Sequence, residues 1–308
     1  MSYWYQLVPP PPYTYSRIKS NTHRPCSKRL LTQAILASIA VLTNSVAEAS
    51  DVKPLDELTT QHGSIEGIYV GDCGRSGHEV SDADIDAIIE APSTLEGFGI
   101  IVRGRTDGGK EAHLQFRDNF TLNFTDRHSS SNENGALIVN AQNVDSVLDI
   151  SSAKDITLKH QSSRGNIAGV YVPGSGSSPP KAFQHATVEL NAKGKITIDG
   201  FDSGIDLGNT NSSIHLQATD IEFVNLSGRG ISANEFFLGR PAFGDQYASI
   251  QLEATNSILL SGTDAADDGV YVGNSASSVD LTAKHVSIRS FHNGLNSSIP
   301  ITDDEQWV

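Results

Sequence analysis

Three sets of residues in this 308-residue chain have types and spacings that chemistry could use. The first is the string GDCGRSG from Gly71 to Gly77, which holds the Cys73 thiol between glycines. A thiolate nucleophile needs a base within hydrogen-bond reach and a further group to orient that base. His62 and His78 lie close by in sequence, but the string directly follows the strand-like block GIYVG from Gly67. A glycine-rich turn is expected there on local grounds, so Cys73 is assigned to a turn. The second set is TDAADDG, Thr263 to Gly269, whose Asp264, Asp267 and Asp268 could offer oxygens to Ca²⁺. Its spacing is not that of the twelve-residue EF-hand loop, and a solvated loop is expected.

The third set is spread along the chain. Asp149, Glu189 and His215 hold the same place in three similar strings. Stacking those strings in one sheet would put the three side chains in a row about 4.8 Å apart, close to the carboxylate separation of a retaining glycosidase. The row continues with Gln251 and Asp280, which makes it an ordinary mixed, solvated face. A parallel row would hold Tyr69, Tyr171, Asp206, Ser232, Tyr271 and Asn296, with a single carboxylate. No catalytic residue, cofactor ligand or metal ligand is assigned, and no reaction is identified. A binding or structural role is expected in preference to an enzymatic one.

Both rows require an element that repeats, and the chain supplies one. The block ATVELNAKGKITI at Ala186 recurs as SSIHLQATDIEFV from Ser212, ASIQLEATNSILL from Ala248 and SSVDLTAKHVSIR from Ser277, with a looser copy from Ser146. Their first apolar residues, Leu148, Val188, Ile214, Ile250 and Val279, are spaced by 40, 26, 36 and 29 residues. Each copy is followed by a glycine-led block at Gly169, Gly204, Gly230, Gly269 or Gly294, and Gly67 and Gly99 open earlier ones. Within a copy the apolar residues alternate, as in Val188, Leu190, Ala192 and then Ile196, Ile198, which is the pattern of strands with one buried face. Helical periodicity is confined to Ser81–Glu90, where Ser81 could cap and Ile85, Ile88 and Ile89 form a stripe. Three strands per copy, with the length variation in the turns, predict an all-β, right-handed parallel β-helix solenoid of about eight coils over residues 50–308.

Residues 1–49 differ from the rest. Arg17, Lys19, Arg24, Lys28 and Arg29 face a single acid, Glu48, and an apolar stretch from Leu30 to Val46 ends at Ala47-Glu48-Ala49. That order predicts a cleavable signal segment, with Ala47 and Ala49 forming the signal-peptidase site. The whole chain carries 22 basic and 36 acidic residues, a net charge of −14; without the leader it has 17 against 35, a net charge of −18. So acidic a chain is not expected to bind nucleic acid by neutralising phosphates. Cys73 is the one cysteine beyond the leader, so an internal disulfide is not available to the exported chain.

On its "SIxLxAxxxIxI … GVYVG" copies and its Ser/Asn/Asp/Gly-rich turns, the region from Gly67 to Asn296 resembles the passenger regions of bacterial autotransporter adhesins. The resemblance implies a secreted or surface-displayed, outer-membrane-associated adhesin with a structural and binding role. Its partner would be a protein or glycan ligand on a host or neighbouring cell, and its translocator a β-barrel not present in this chain. The loops from Pro173 and Asn234, which hold Phe183, Phe236, Phe237 and Phe243, are the expected contact surface. The alternatives are a secreted polysaccharide lyase or glycoside hydrolase on a β-helix fold, or a truncated, non-functional passenger fragment.

Overall fold

A computed structural model of the chain describes residues 67–70, 79–81, 85–90, 93–97, 99–104, 108–125, 134–141, 145–160, 166–173, 185–208, 212–233, 248–273 and 277–297. The leader with Ala47 and Ala49, the Cys73 string with His62 and His78, and the four loop phenylalanines fall outside the described residues.

The alternating strings form strands throughout. In chain order they are β1 (Gly67–Val70), β2 (Glu79–Ser81), β3 (Ile85–Ile89), β4 (Ser93–Gly97), β5 (Gly99–Gly104), β6 (Lys110–Phe116) and β7 (Phe120–Phe124). Next come β8 (Gly135–Ala141), β9 (Ser146–Ser152), β10 (Ile156–His160), β11 (Ala168–Val172), β12 (Ala186–Ala192), β13 (Lys195–Asp199) and β14 (Ser203–Leu207). The last seven are β15 (Ser213–Leu226), β16 (Ile231–Ala233), β17 (Ala248–Gly262), β18 (Asp268–Val272), β19 (Ser277–Thr282), β20 (His285–Arg289) and β21 (Asn293–Ser297).

The glycine-led strands build one nine-stranded parallel sheet in the order β2-β1-β5-β8-β11-β14-β16-β18-β21. The other strands build a twelve-stranded parallel sheet in which β15 and β17 each run through the first and second strings of a copy without a break. Leu148, Val188, Ile214, Ile250 and Val279 are successive Cα partners, as are Ile156, Ile196, Ile221, Ile258 and Val286. Within these columns every residue up to Ile250 and Ile258 is at most 1% exposed. Burying each such side chain contributes about 1.5–3 kcal/mol before the entropy of ordering it is counted.

This all-β, fully parallel wall curves through 271° into a near-complete barrel. The expectation of an open, right-handed β-helix solenoid of about eight coils is corrected on that point. Alternation and repeat length determine which side chains point inward and which copies pair, but not how far a sheet curls. Curl follows from strand twist and from what fills the interior. Here both sheets turn their apolar faces onto one shared core, filled by fully buried Phe116, Phe120, Phe201 and Phe223. The Phe116 and Phe120 rings stack with centroids 4.3 Å apart. The resemblance to autotransporter passengers, the adhesin role, the outer-membrane placement drawn from it and both alternatives rest on the open form, and are set aside with it.

The expected short helix at Ser81–Glu90 is a second correction. Ile85–Ile89 is strand β3, paired with β6 from Ile85↔Ala112 to Ile89↔Phe116. Ile85, Ala87 and Ile89 are buried while Asp86 is exposed, so the period is two. β-Branched isoleucines favour this extended, half-buried setting over a helix.

Candidate functional site

Gly99, Gly169, Gly204, Gly230 and Gly269, which open blocks of the nine-stranded sheet, stand where neighbouring backbone or side chains approach too closely for a Cβ. A Cβ on Gly204 would stand 2.6 Å from the Gly230 carbonyl oxygen and 2.5 Å from Cδ2 of Phe223. A Cβ on Gly230 would collide with the Gly269 carbonyl oxygen. The glycines thus bring β14, β16 and β18 together over the core, and the second residue after each glycine points to the outer face. Tyr171, Asp206, Ser232, Tyr271 and Asn296 are successive partners on that face, preceded by Ile101 and Ile138.

The outer face is not an ordinary solvated one. Ile101 and Ile138 are 3% and 2% exposed, with Tyr171 packed against them, and Ser232 is 2% exposed. The residue that sequence reasoning missed is Arg229, at the turn before β16. Its guanidinium carbon lies 3.9 Å from the centroid of the Tyr271 ring, and its Nε lies 3.3 Å from Oδ2 of Asp268. Asp268 is 3% exposed, and its Oδ1 accepts hydrogen bonds from the side-chain amides of Asn293 and Asn296, both at 2.9 Å. The signal that could have revealed Arg229 was the string SGRG, a cation directly before a glycine-led block in an acidic chain.

These groups border a cavity of about 500 Å³ whose lining includes Asn134, Tyr171, Asp206, Arg229, Ser232 and Asp267. At its edge Asp202 accepts the Ile167 amide at 2.9 Å and the Ser227 hydroxyl. Burial pushes the Asp206 carboxyl above its ordinary value, opposed by the positive Arg229 and by the hydrogen bond from Ser232. Burial, with the nearby Asp206 charge, also raises the Tyr171 phenol. Asp206 therefore has partners, contrary to its reading as a lone carboxylate. The cavity offers a carboxyl able to donate or accept, a hydroxyl, a guanidinium and a phenol within one half-enclosed space.

The structure also assembles the row on the twelve-stranded sheet. His113, Asp149, Glu189, His215, Gln251 and Asp280 are successive partners. His113 Nδ1 lies 3.4 Å from Asp149 Oδ2, and its Nε2 lies 3.4 Å from Glu111 Oε2, at the long end of hydrogen bonding. Burial alone would lower the His113 pKa; Glu111 and Asp149 outweigh it and raise the value. Asp264, Asp267 and Asp268 do not converge on an ion: the first two are exposed and Asp268 turns inward to Arg229 and the asparagines. Among the described residues no group of three His, Cys, Asp or Glu side chains is placed to hold a metal, and no helix is long and apolar enough to cross a membrane.

Comparison of the chain with protein-family models, with curated proteins and with solved structures gives no match.

Proposed function

We propose that this is an exported binding protein whose cavity at Asp206 takes a hydroxyl-rich ligand, a short glycan. The observation that carries this reading is the convergence of Asp206, Ser232 and Arg229 in one cavity that Tyr171 also lines. Sugars present vicinal hydroxyls that bond in pairs to carboxylates and guanidinium groups, and apolar C–H faces that pack on aromatic rings. Such a ligand replaces, group for group, the water that Asp206 and Ser232 would otherwise bind, which limits the desolvation cost of binding. Export is supported by the basic-apolar-Ala47-Glu48-Ala49 order of the leader.

The test is a glycan array probed with the full chain, followed by calorimetry on the retained glycans with wild type, Asp206→Ala and Ser232→Val. Loss of one buried polar partner should weaken binding about tenfold or more, corresponding to about 1.4 kcal/mol. An array with no retained glycan, or glycans bound equally well by both variants, would refute the assignment.

A further inference from the structure

On the outer face of the twelve-stranded sheet, Gln115 of β6, Ser151 of β9, Asn191 of β12 and Gln217 of β15 are successive partners. Two residues further along these strings come Arg117, Ala153, Lys193 and Thr219. The amides of Arg117, Ala153 and Lys193 donate to the carbonyls of Ile89, Phe116 and Ser152 at 2.8, 2.9 and 3.1 Å, so the turns stack as the strands do. At both positions the β9 copy carries a short side chain, Ser151 or Ala153, where its neighbours carry longer ones. The result is a cleft of about 400 Å³ with β9 as its floor, Gln115 and Arg117 on one wall, and Asn191 and Lys193 on the other. Buried Ser152 fixes the floor: its hydroxyl donates to the Asp118 carbonyl at 2.8 Å and accepts the Lys154 amide at 3.1 Å. Among the described residues the side chains of Gln115, Ser151, Asn191 and Lys193 have no hydrogen-bond or ion-pair partner, so their donors are free for a ligand.

We infer that this cleft binds a small oxyanion, a carboxylate, sulfate or phosphate, over Ala153 and between Arg117 and Lys193. Those two are the charged residues of its lining, which includes no acid, although the chain as a whole carries a net charge of −14. The cavity at Asp206 has the opposite character, with Asp202, Asp206 and Asp267 beside a single arginine. Arg117 and Lys193 stand two strand spacings apart, about 9.6 Å, a gap that long side chains close from both walls. The acids around the cleft do not cancel them. Asp149 and Glu189 lie four residues before Ala153 and Lys193 on the same face, about 13 Å away and beyond the roughly 8 Å screening length of physiological salt. Asp118 pairs with Lys154 at 2.8 Å, Asp155 accepts the Lys195 amide at 2.8 Å, and Glu253 accepts the Gln251 amide at 2.7 Å. Glu90 is 80% exposed and 3.9 Å from Arg117 Nε, a loose surface pair that a ligand oxyanion displaces.

The test is a nuclear magnetic resonance titration of the full chain with sodium sulfate, sodium phosphate and sodium glucuronate in turn, at constant ionic strength. At least one should shift the amides of Ser151 and Ala153 saturably, and the three curves show which oxyanion the cleft takes. Arg117→Gln and Lys193→Gln should each weaken that binding about tenfold, and the double variant should abolish it. Ala153→Phe, which fills the cleft and keeps both cations, should also abolish it. Lys159→Gln removes an exposed cation from β10 and should leave binding unchanged. The wild-type titration needs no variant, so it decides by itself should a substitution fail to fold. Ser151 and Ala153 amides that none of the three anions moves overturn the inference. So does binding that survives Ala153→Phe or the loss of both cations, or that falls as much with Lys159→Gln.

Discussion

The Arg229 guanidinium lies 3.9 Å over the ring of Tyr271, on a neighbouring strand, while its Nε reaches Asp268 at 3.3 Å. One side chain that lines the cavity therefore ties the buried carboxylate at the start of β18 to an aromatic ring of the same strand. Arg229→Ala should destabilise the protein by about 1–3 kcal/mol, because nearly buried Asp268 loses its charged partner and keeps only two amides. Arg229→Lys should recover little of this, since an ammonium lacks the planar fork that stacks and pairs at once. Urea unfolding of the three proteins measures both effects.

The Asp206 carboxyl has a folded pKa above its unfolded value. The folded state then holds a proton that the unfolded state has released, so stability falls as pH rises from about 3.9 through the raised value. Asp206→Asn should remove this part of the pH dependence and gain stability relative to wild type above that window. Urea midpoints of both proteins across the acidic range test the sign; a wild-type curve that rises where the Asp206→Asn curve is flat would contradict it.

His113 behaves in the opposite sense. Its raised folded pKa means that protonated His113 favours the folded state. The contribution is complete below about 6.5 and is lost as pH climbs through the raised value. Nuclear magnetic resonance titration should place His113 above an unperturbed histidine, and Glu111→Gln with Asp149→Asn should bring it down. The pair is partly exposed, so the shift should shrink in high salt.

Glycine substitutions should separate sharply by position. Gly230→Ala drives a Cβ into the Gly269 backbone and should cost about 1–3 kcal/mol or more, with weaker ligand binding because Ser232 moves with its strand. Gly108→Ala and Gly294→Ala, which meet nothing within 4 Å, should stay within about 0.5 kcal/mol of wild type. Thermal unfolding of the three variants under one condition tests the contrast.

Much of the pairing was legible in the sequence, because apolar alternation at Val188, Leu190, Ile196 and Ile198 carries the inward face of every copy. Aligning five such strings was enough to name the column through Leu148, Val188, Ile214, Ile250 and Val279. Wall closure was not legible, since it depends on how Phe116, Phe120, Phe201 and Phe223 share one interior, a property of volume rather than of period. The Ile85–Ile89 strand was obscured because Ile88 adds a helical spacing to a two-residue alternation, and only the partner β6 decides between them. At the cavity the sequence identified the row containing Asp206 and missed what gives it character. Arg229 belongs to a turn outside the alternation, and burial of Ile101, Ile138 and Ser232 on the outward side is a tertiary effect.

Copies of 26 to 40 residues share strands of nearly constant length, so the surplus sequence resides between strands and leaves the alignment of columns untouched. The molecule is consequently a modular display frame. Foreign peptides spliced between Leu207 and Ser213 would be carried at a fixed address beside the Asp206 strand. Removing a single residue inside β12, by contrast, would turn half of that strand inside out.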